Sequence, residues 1–481
     1  MAVRRDKIDA LRQSGRMPYA ERFQRSHGLA QAKRLEAGTK GVRIAGRVVA
    51  IRLFGKLAFG KLYDFEGEMQ FSLKKNLLDQ EFKLFQKMVD TGDFVGLEGE
   101  IWVTKTAEVT LDVHRWTFLS KALRPLPEKF HGLADKELKL RRRYLDLISS
   151  DKTRHIFRTR TRIVKTIREF LDEHGFTEID TPVLSNKASG ALARPFVTHS
   201  HALDIDVYLR IAPETYLKRA IAGGFDKVYE FARSFRNEGV DGSHLPDFTL
   251  LEAYSAYWNY LDNMSFTEKL IRHVLQEVSG ALSISYQGTA ISFEGQWPAI
   301  GLRDLILKDS DIDIDAYPTK EALLSAVTER AITLESRTEI NKVSRATLVD
   351  LLYKKVSRPK IIDPLFIIEH PLDLSPLARK NDRNPSVVDR FQLVVNGWEI
   401  VNGYSELVDP IDQADRFVAQ AGARSRGDEE TMEIDMDFLR CMEYGMPPTS
   451  GWGMGVDRMV ALLTDASTLR DVVLFPLLRP E

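Results

Sequence analysis

The sequence predicts an α+β protein in two parts: a small five-stranded β-barrel near the N-terminus, followed by a larger domain with an antiparallel sheet flanked by helices. Three observations predict it. Between Gly41 and Leu123, five short β-rich runs are broken by Gly55, Gly60, Gly67 and Gly92, the pattern of a small barrel. Beyond Pro125 and Pro127, strand-like runs pair as hairpins and alternate with long amphipathic helices. The chain has 481 residues, 43% of them hydrophobic, which is more than one hydrophobic core usually organises.

Residues 1–40 form a helical extension: a short amphipathic helix carrying Ile8 and Leu11, a loop at Met17-Pro18-Tyr19, and a second helical stretch ending near Gly38. Residues 41–125 form the barrel, with strands at Val42–Ile51, Ala58–Phe65, Met69–Ser72, Phe94–Thr104 and Glu108–Phe118 and a helix at Leu77–Met88. It is of the oligonucleotide-binding (OB) type, a fold that does not by itself fix a ligand. Residues 126–150 read as a linker, in which the charged run Lys136–Asp146, including Arg141, Arg142 and Arg143, suits a solvated helix face better than an RNA contact.

The second domain, residues 151–481, opens with a helix from Asp151 to His174. Phe157, Ile163, Ile167 and Leu171 lie on one face of it, and Gly175 stops it. Phe176–Val183 reads as a strand, as do 205–212, 226–237 and 246–257, with a helix at 261–279. An insertion at about 281–360 precedes strands at 361–369, 389–396 and 398–407. The chain ends on a glycine-rich strand, Gly451-Trp452-Gly453-Met454-Gly455, and a helix from Asp457.

Cys441 is the single cysteine, so an intrachain disulfide and a multi-cysteine metal site are excluded. Charge interrupts every apolar run before the roughly 18 residues that span a bilayer, and no signal-peptide pattern follows the first charges. No membrane association and a cytoplasmic location are therefore expected. Net charge is only -1, yet residues 1–60 carry fourteen Lys/Arg against four acids. That end suits a polyanion such as a nucleic acid, or else a solvated helix and loop.

Three clusters carry chemistry. Strand alternation places Arg236 and Glu238 on one face of the 226–237 strand, and Phe248, Glu252 and Tyr254 on one face of the next. A cation, two carboxylates and two aromatics on a sheet face flanked by apolar residues point to a ligand site rather than to surface ion pairs. In the second cluster Asn402, Tyr404 and Glu406 share a face, and Asn396-Gly397 predicts a two-residue hairpin that brings Gln392 antiparallel to it. Glu399 falls out of phase with Asn402, so a bulge must separate them if both serve one site. In the third, the glycines of 451–455 let a planar ligand approach the backbone, and Arg458 at a helix start suits a phosphate. The spacing is neither that of a Walker loop nor that of a dinucleotide fingerprint.

Together these residues resemble the class II lysyl-tRNA synthetases of bacterial type, along essentially the whole chain. Glu173–Pro182 resembles class motif one, which forms dimer contacts. Phe235-Arg236-Asn237-Glu238 with Phe248 and Glu252 resembles motif two, and Gly451–Arg458 motif three. Stretches typical of the lysine enzymes are Ala193–His199, Tyr208–Glu214 and Leu374–Arg379. The resemblance implies a homodimer that uses ATP and Mg2+ to make lysyl-adenylate from L-lysine and passes the lysine to the 3′ end of tRNA(Lys), releasing pyrophosphate and AMP.

It also implies roles by residue. Arg236 would bridge the lysine carboxylate and the α-phosphate. Phe248 and Arg458 would sandwich adenine, Glu238 and His244 would meet ATP, and Gly451 and Gly453 would border it. Gly190 and Glu214 would hold the lysine α-amino group. Glu252, Tyr254 and Glu406 would surround the ε-ammonium, Asn402 would lie near the lysine carboxylate, and Tyr404 would also belong to the lysine site. Arg52, Phe59, Gln70 and Glu108 match anticodon-reading positions; from the residues alone, Phe59 is equally a core residue. Glu399 and Gln392 match the metal positions, with Gln392 where the family usually has glutamate, a weaker neutraliser of a magnesium ion.

Rival readings are an aspartate or asparagine synthetase, a paralogue that lysylates protein, and an inactive RNA-binding derivative. The first requires a cation where Glu252 and Glu406 stand, the second predicts loss of the barrel, and the third tolerates loss of Arg236, Glu238 or Arg458.

Overall fold

The computed structural model describes residues 1–126, 135–187, 193–239, 241–335, 340, 343–425 and 435–480. It divides into two compact units, Met1–Ser150 and Asp151–Glu481.

In the first unit, β1 (Val42–Phe54), β2 (Leu57–Tyr63), β3 (Glu68–Lys74), β4 (Phe94–Val103) and β5 (Val109–Ser120) close into a barrel of order β1-β2-β3-β5-β4. Only the β3–β5 pairing is parallel. Alternate residues such as Ala58, Leu62, Phe71, Leu73, Leu97 and Leu111 fill the interior, which Phe82 and Phe85 of the helix Gln80–Met88 help to close. The helix Ala2–Gln13 adds Leu11 to this core. The second helical stretch is shorter than predicted, a single turn at Leu29–Ala32. The run Lys136–Asp146 is exposed or half-exposed as far as Arg142, and the expectation of a solvated face is corrected only at Arg143 and Asp146. It forms two helices, Lys136–Arg141 and Arg143–Ser149, and Arg143 and Asp146 are buried and paired at 3.0 Å. Charge density alone did not distinguish exposed arginines from one that buries against its own i+3 carboxylate.

The second unit adds β6 (Thr177–Glu178), β7 (Leu184–Ser185), β8 (Val197–Ser200), β9 (Ile205–Leu209), β10 (Lys227–Phe235), β11 (Asp247–Ala256), β12 (Ser283–Tyr286), β13 (Thr289–Ser292), β14 (Ala299–Gly301), β15 (Leu365–Pro371), β16 (Val387–Val395), β17 (Trp398–Ser405) and β18 (Thr449–Gly455). Eight of these strands form one sheet of order β14-β15-β16-β17-β18-β11-β10-β6. The six central strands are antiparallel, and parallel pairs stand at both edges, β14 with β15 and β6 with β10. The predicted strand Phe176–Val183 shrinks to the two residues of β6. It sits at the sheet edge, where only two residues find a partner.

Alternation assigns the two faces. Leu251, Ala253, Val401 and Met454 point to a core shared with Ile163, Ile167 and Leu171 of the helix Asp151–Glu173, Leu270 and Val274 of Tyr260–Ser279, and Val460 of Val456–Leu463. Gly175 ends the first of these helices at φ +78°. On the opposite face Glu252, Asn402 and Tyr404 stand beside a small apolar cluster of Val228 and Ala256 with Leu217 and Ile221 of the helix Glu214–Ala222. Helices Leu302–Ser310, Lys320–Glu329 and Arg345–Val356 of the predicted insertion pack a core of their own around Ile306, Leu323 and Leu352.

Candidate active site

The polar face of the sheet lines a cavity of about 350 Å³. Its floor follows from register. β18 lies between β11 and β17, and two rows cross all three strands: Glu252, Gly453, Asn402 and Tyr254, Gly451, Tyr404. A side chain at the centre of either row would occupy the space between the walls. At Gly451 a Cβ would collide with the Tyr254 ring and lie 2.5 Å from Glu406 Oε1. Glycine there is what lets both side chains reach the cavity.

Glu399 reaches it by a different device. Asn396 and Gly397 adopt φ of 46° and 70°, the left-handed pair of a type I′ turn, and Val395 pairs with Trp398 across it. Leu393 then pairs with Val401 but Val394 with Glu399, so Ile400 is an extra residue in β17. This bulge shifts the phase by one and leaves Glu399 and Asn402 both lining the cavity.

Arg236 corrects the expectation of a strand position, because β10 ends at Phe235 and Arg236 and Glu238 follow it in the loop. Both still line the cavity. The Arg236 guanidinium lies 5.1 Å from the Phe248 ring centroid, and its buried Nε has no hydrogen-bond partner. Burial pushes its pKa down while Glu238, Glu252 and Glu399 oppose the fall, and a guanidinium stays charged throughout. Arg458, in the first turn of Val456–Leu463, donates to the Glu399 carbonyl at 2.9 Å. Its neighbour Asp457 fixes that turn to the sheet by accepting from Arg160 at 2.6 Å and from the Thr249 N–H at 2.9 Å. Burial raises the Glu399 carboxyl, but Arg458, Arg358 and Arg390 outweigh it and hold the pKa below the ordinary value. His244 borders the cavity with Nδ1 3.0 Å from Asp241.

The other end of the cavity is acidic. Glu214, Glu252 and Glu406 stand there with Tyr254 and Tyr404. Tyr404 donates to Glu214 Oε1 at 2.7 Å and Tyr254 to Glu252 Oε2 at 3.1 Å. Burial first and Glu214 second push the Glu252 carboxyl up to about 8. Burial also drives Glu406 well above the usual range, against the pull of Lys218 and with the push of Glu214. Such a group of carboxylates lacks positive charge, and a bound cation would supply it. Asn402 accepts at Oδ1 from Arg390 Nε at 2.8 Å. Arginine has no acceptor, so this bond fixes the amide with its NH2 free to donate elsewhere. Arg390 also donates to the Leu374 carbonyl at 3.1 Å and Ser375 Oγ at 2.8 Å, bracing the segment whose Ser375, Pro376 and Leu377 complete the wall.

Gln392 pairs with Asn402 in the hairpin, but it does not line the cavity. Its amide nitrogen faces Glu399 Oε2 at 3.3 Å. Gly190 lies outside the described residues. Sequence reasoning missed two residues: Arg390, which lines the cavity beside Asn402, and Lys218, which stands behind Glu214 and Glu406 without bordering it. The signal for Lys218 was its i+4 spacing from Glu214 on one helix face; Arg390 carried none.

In the barrel unit, Arg52 is opposite Phe59, and Phe59 is opposite Ser72, two residues from Gln70 on β3. These side chains therefore share the outer face, while Ala58 and Leu62 fill the core. Phe59 is half-buried, with Phe54 edge-on at 6.3 Å. Gln70 donates to Thr110 Oγ1 at 2.9 Å, and Glu108 lies 3.5 Å from Lys33.

Comparison with known proteins follows the same division. Residues 135–479 match the family model described as tRNA synthetases class II (D, K and N), and residues 42–119 match the OB-fold nucleic acid binding domain. The chain is 44% identical to a protein of Carboxydothermus hydrogenoformans over 100% of its own length and 98% of the relative's. It is likewise 44% identical to one of Pelotomaculum thermopropionicum, covering 100% and 95%, and to one of Thermotoga maritima, covering 99% and 95%. Each of the three relatives is named a lysine–tRNA ligase.

Proposed function

The chain belongs to the class II tRNA synthetases of the D, K and N group, and from that premise we infer that the cavity of the second unit joins L-lysine to ATP. The protein is an ATP-dependent ligase that attaches lysine to tRNA(Lys), by way of lysyl-adenylate. The observation that carries the assignment of the site is its polarity: three carboxylates at one end and the guanidiniums of Arg236 and Arg458 at the other.

In this reading Glu252, Tyr254 and Glu406 receive the ε-ammonium, Glu214 with Gly190 the α-ammonium, and the NH2 of Asn402 the lysine carboxylate; Tyr404 holds Glu214 in place. Adenine lies between Phe248 and Arg458, with Gly451 and Gly453 allowing close approach and Glu238 and His244 at the edge of the nucleotide. Arg236 lies between the lysine carboxylate and the α-phosphate. There it draws the two anions together and offsets the charge that gathers on the phosphoryl oxygens, so that no protein nucleophile is needed.

Among the described residues no group of three or more His, Cys, Asp or Glu forms a metal cage. That fits Mg2+, which keeps waters and is held chiefly by phosphates and one or two carboxylates. Glu399, held ionised, is the carboxylate that fits, and Gln392 orients it. When bound, the ion supplies charge neutralisation at the phosphates.

Homodimerisation is part of this proposal. It is supported by the apolar residues Leu184, Val197, Leu203 and Ile205, exposed on and beside the sheet β7-β9-β8 that follows motif one. No helix among the described residues is long and apolar enough to cross a membrane, and the proposed place of action is the cytoplasm.

Amino-acid-dependent ATP–pyrophosphate exchange tests the reading. Lysine is expected to support exchange far better than aspartate or asparagine, and equal activity with aspartate would refute the assignment. Binding of the ε-ammonium requires Glu252 ionised, whereas its carboxyl sits at about 8 in the free protein. Below that pH, lysine binding therefore releases a proton, and apparent affinity rises with pH by up to about tenfold per unit. A flat profile between pH 6 and 8 would separate Glu252 from the ammonium.

The barrel reads the anticodon in this proposal, through Arg52, Phe59, Gln70 and Glu108. Phe59→Ala is expected to weaken tRNA aminoacylation by about 1–3 kcal/mol, the worth of one base stack, and to leave lysine-dependent exchange intact. A parallel loss of both activities would show that Phe59 supports the fold instead.

A further inference from the structure

Lys218 is 1% exposed, on the helix Glu214–Ala222, and does not border the cavity. Its Nζ lies 2.6 Å from Glu214 Oε1 and is ion-paired with Glu406 Oε2. The rings of Tyr404 and Phe438 stand 5.6 and 5.8 Å from it. The ammonium thus touches two of the three acidic side chains from behind. The second carboxylate oxygen of Glu406, Oε1, is buried without a hydrogen-bond partner. It lies against Gly451, on the cavity floor.

A count of charges gives this arrangement a purpose. With lysine bound and all three acids ionised, Glu214, Glu252 and Glu406 contribute three negative charges and Lys218 one positive, leaving two. Lysine brings two ammonium groups, and its carboxylate goes to the opposite end of the cavity. Without Lys218, three buried carboxylates would face two cations, and one of them would take up a proton instead.

We propose that Lys218 is a built-in counter-ion that sets the pocket to a charge of minus two and holds Glu406 with one oxygen turned inward, making Lys218 a positioning residue for diamino-acid recognition. The inference rests on the lysine-site reading above and adds a specificity determinant that never touches substrate. The groups facing Lys218 are Glu214 on its own helix, Glu406 and Tyr404 on and after β17, and Glu252 on β11. Phe438 faces it from the helix Met436–Glu443, whose cap Asp435 is engaged by Arg219. None of these but the three carboxylates brings a formal charge to the pocket.

The test is lysine-dependent exchange by full-length Lys218→Met, which keeps length and apolar bulk and removes the charge. Lysine KM is expected to rise at least about tenfold while ATP KM moves within about twofold. The raised KM should fall again between pH 7 and pH 9, as the carboxylate that has taken a proton gives it up. A proportional rise of both KM values, or an unchanged lysine KM, would overturn the proposal. Should Lys218→Met not fold, the Lys218→Met/Glu214→Gln double variant decides, since it removes one charge of each sign. Recovery of cooperatively unfolding protein in the double variant supports the counter-ion, and failure in both refutes it. Wild-type exchange with lysine tests the site reading independently, so the two can fail separately.

Discussion

Arg236→Ala is expected to abolish lysine-dependent pyrophosphate exchange, by a factor on the order of 10²–10³ or more in kcat, equivalent to about 3–4 kcal/mol. The magnitude follows from where the guanidinium sits. It is buried against Phe248 with its Nε unpartnered and three carboxylates within electrostatic reach. The cation is therefore held in place before any substrate arrives, and its field acts in a medium drier than water. Alanine leaves that volume to water and leaves the two reacting anions to repel each other. tRNA binding, assigned to the barrel unit, should survive the substitution, so a gel-shift or filter-binding assay beside the exchange assay separates chemistry from recognition. Exchange within about tenfold of wild type would remove Arg236 from the reaction.

Glu406→Gln is expected to cost lysine affinity about 3–5 kcal/mol, the usual consequence of breaking a buried ion pair by removing one partner. Two cations lose by it: the ε-ammonium of the substrate, and Lys218, which keeps only Glu214. The shape of the side chain is preserved, so the loss reports charge. Lysine KM measured by exchange, with ATP KM as control, gives the answer; a change below about threefold would place the ε-ammonium elsewhere.

Much of the fold was legible because period and punctuation are local. The alternation in 226–237 and 246–257 and the Asn396-Gly397 turn are dictated by neighbouring residues, and β10, β11 and the β16–β17 hairpin stand where these signals put them. The need for a bulge between Glu399 and Asn402 was also readable, as a conflict between phase and shared purpose; which residue bulges was not, because that is decided by pairing with β16. β6 was overestimated for the same reason. An apolar run shows that a strand can form, not how many of its residues meet a partner. Within the site, the residues that line the cavity could be picked out by chemistry on a common face. Lys218, outside the cavity, and Arg390, on its wall, were exceptions, since only tertiary packing brings each near the side chain it engages. Arg143 misled in the opposite direction, a charge in a charged run that the fold buries.

The extra residue at Ile400 means that β17 keeps two clocks. Trp398 and Glu399 pair with β16 alone, in the register set by the hairpin turn, whereas Asn402 and Tyr404 pair with β16 one residue out of step with them and with β18 on the other side. The join falls at the boundary between the nucleotide end of the cavity and its amino-acid end. On the proposed assignment, substitutions beyond the join are expected to leave the Glu399 carboxylate where it is, because its register is set by the turn. A single strand thereby serves as a common handle with an interchangeable bit, so that amino-acid choice can drift while the activation chemistry stays fixed.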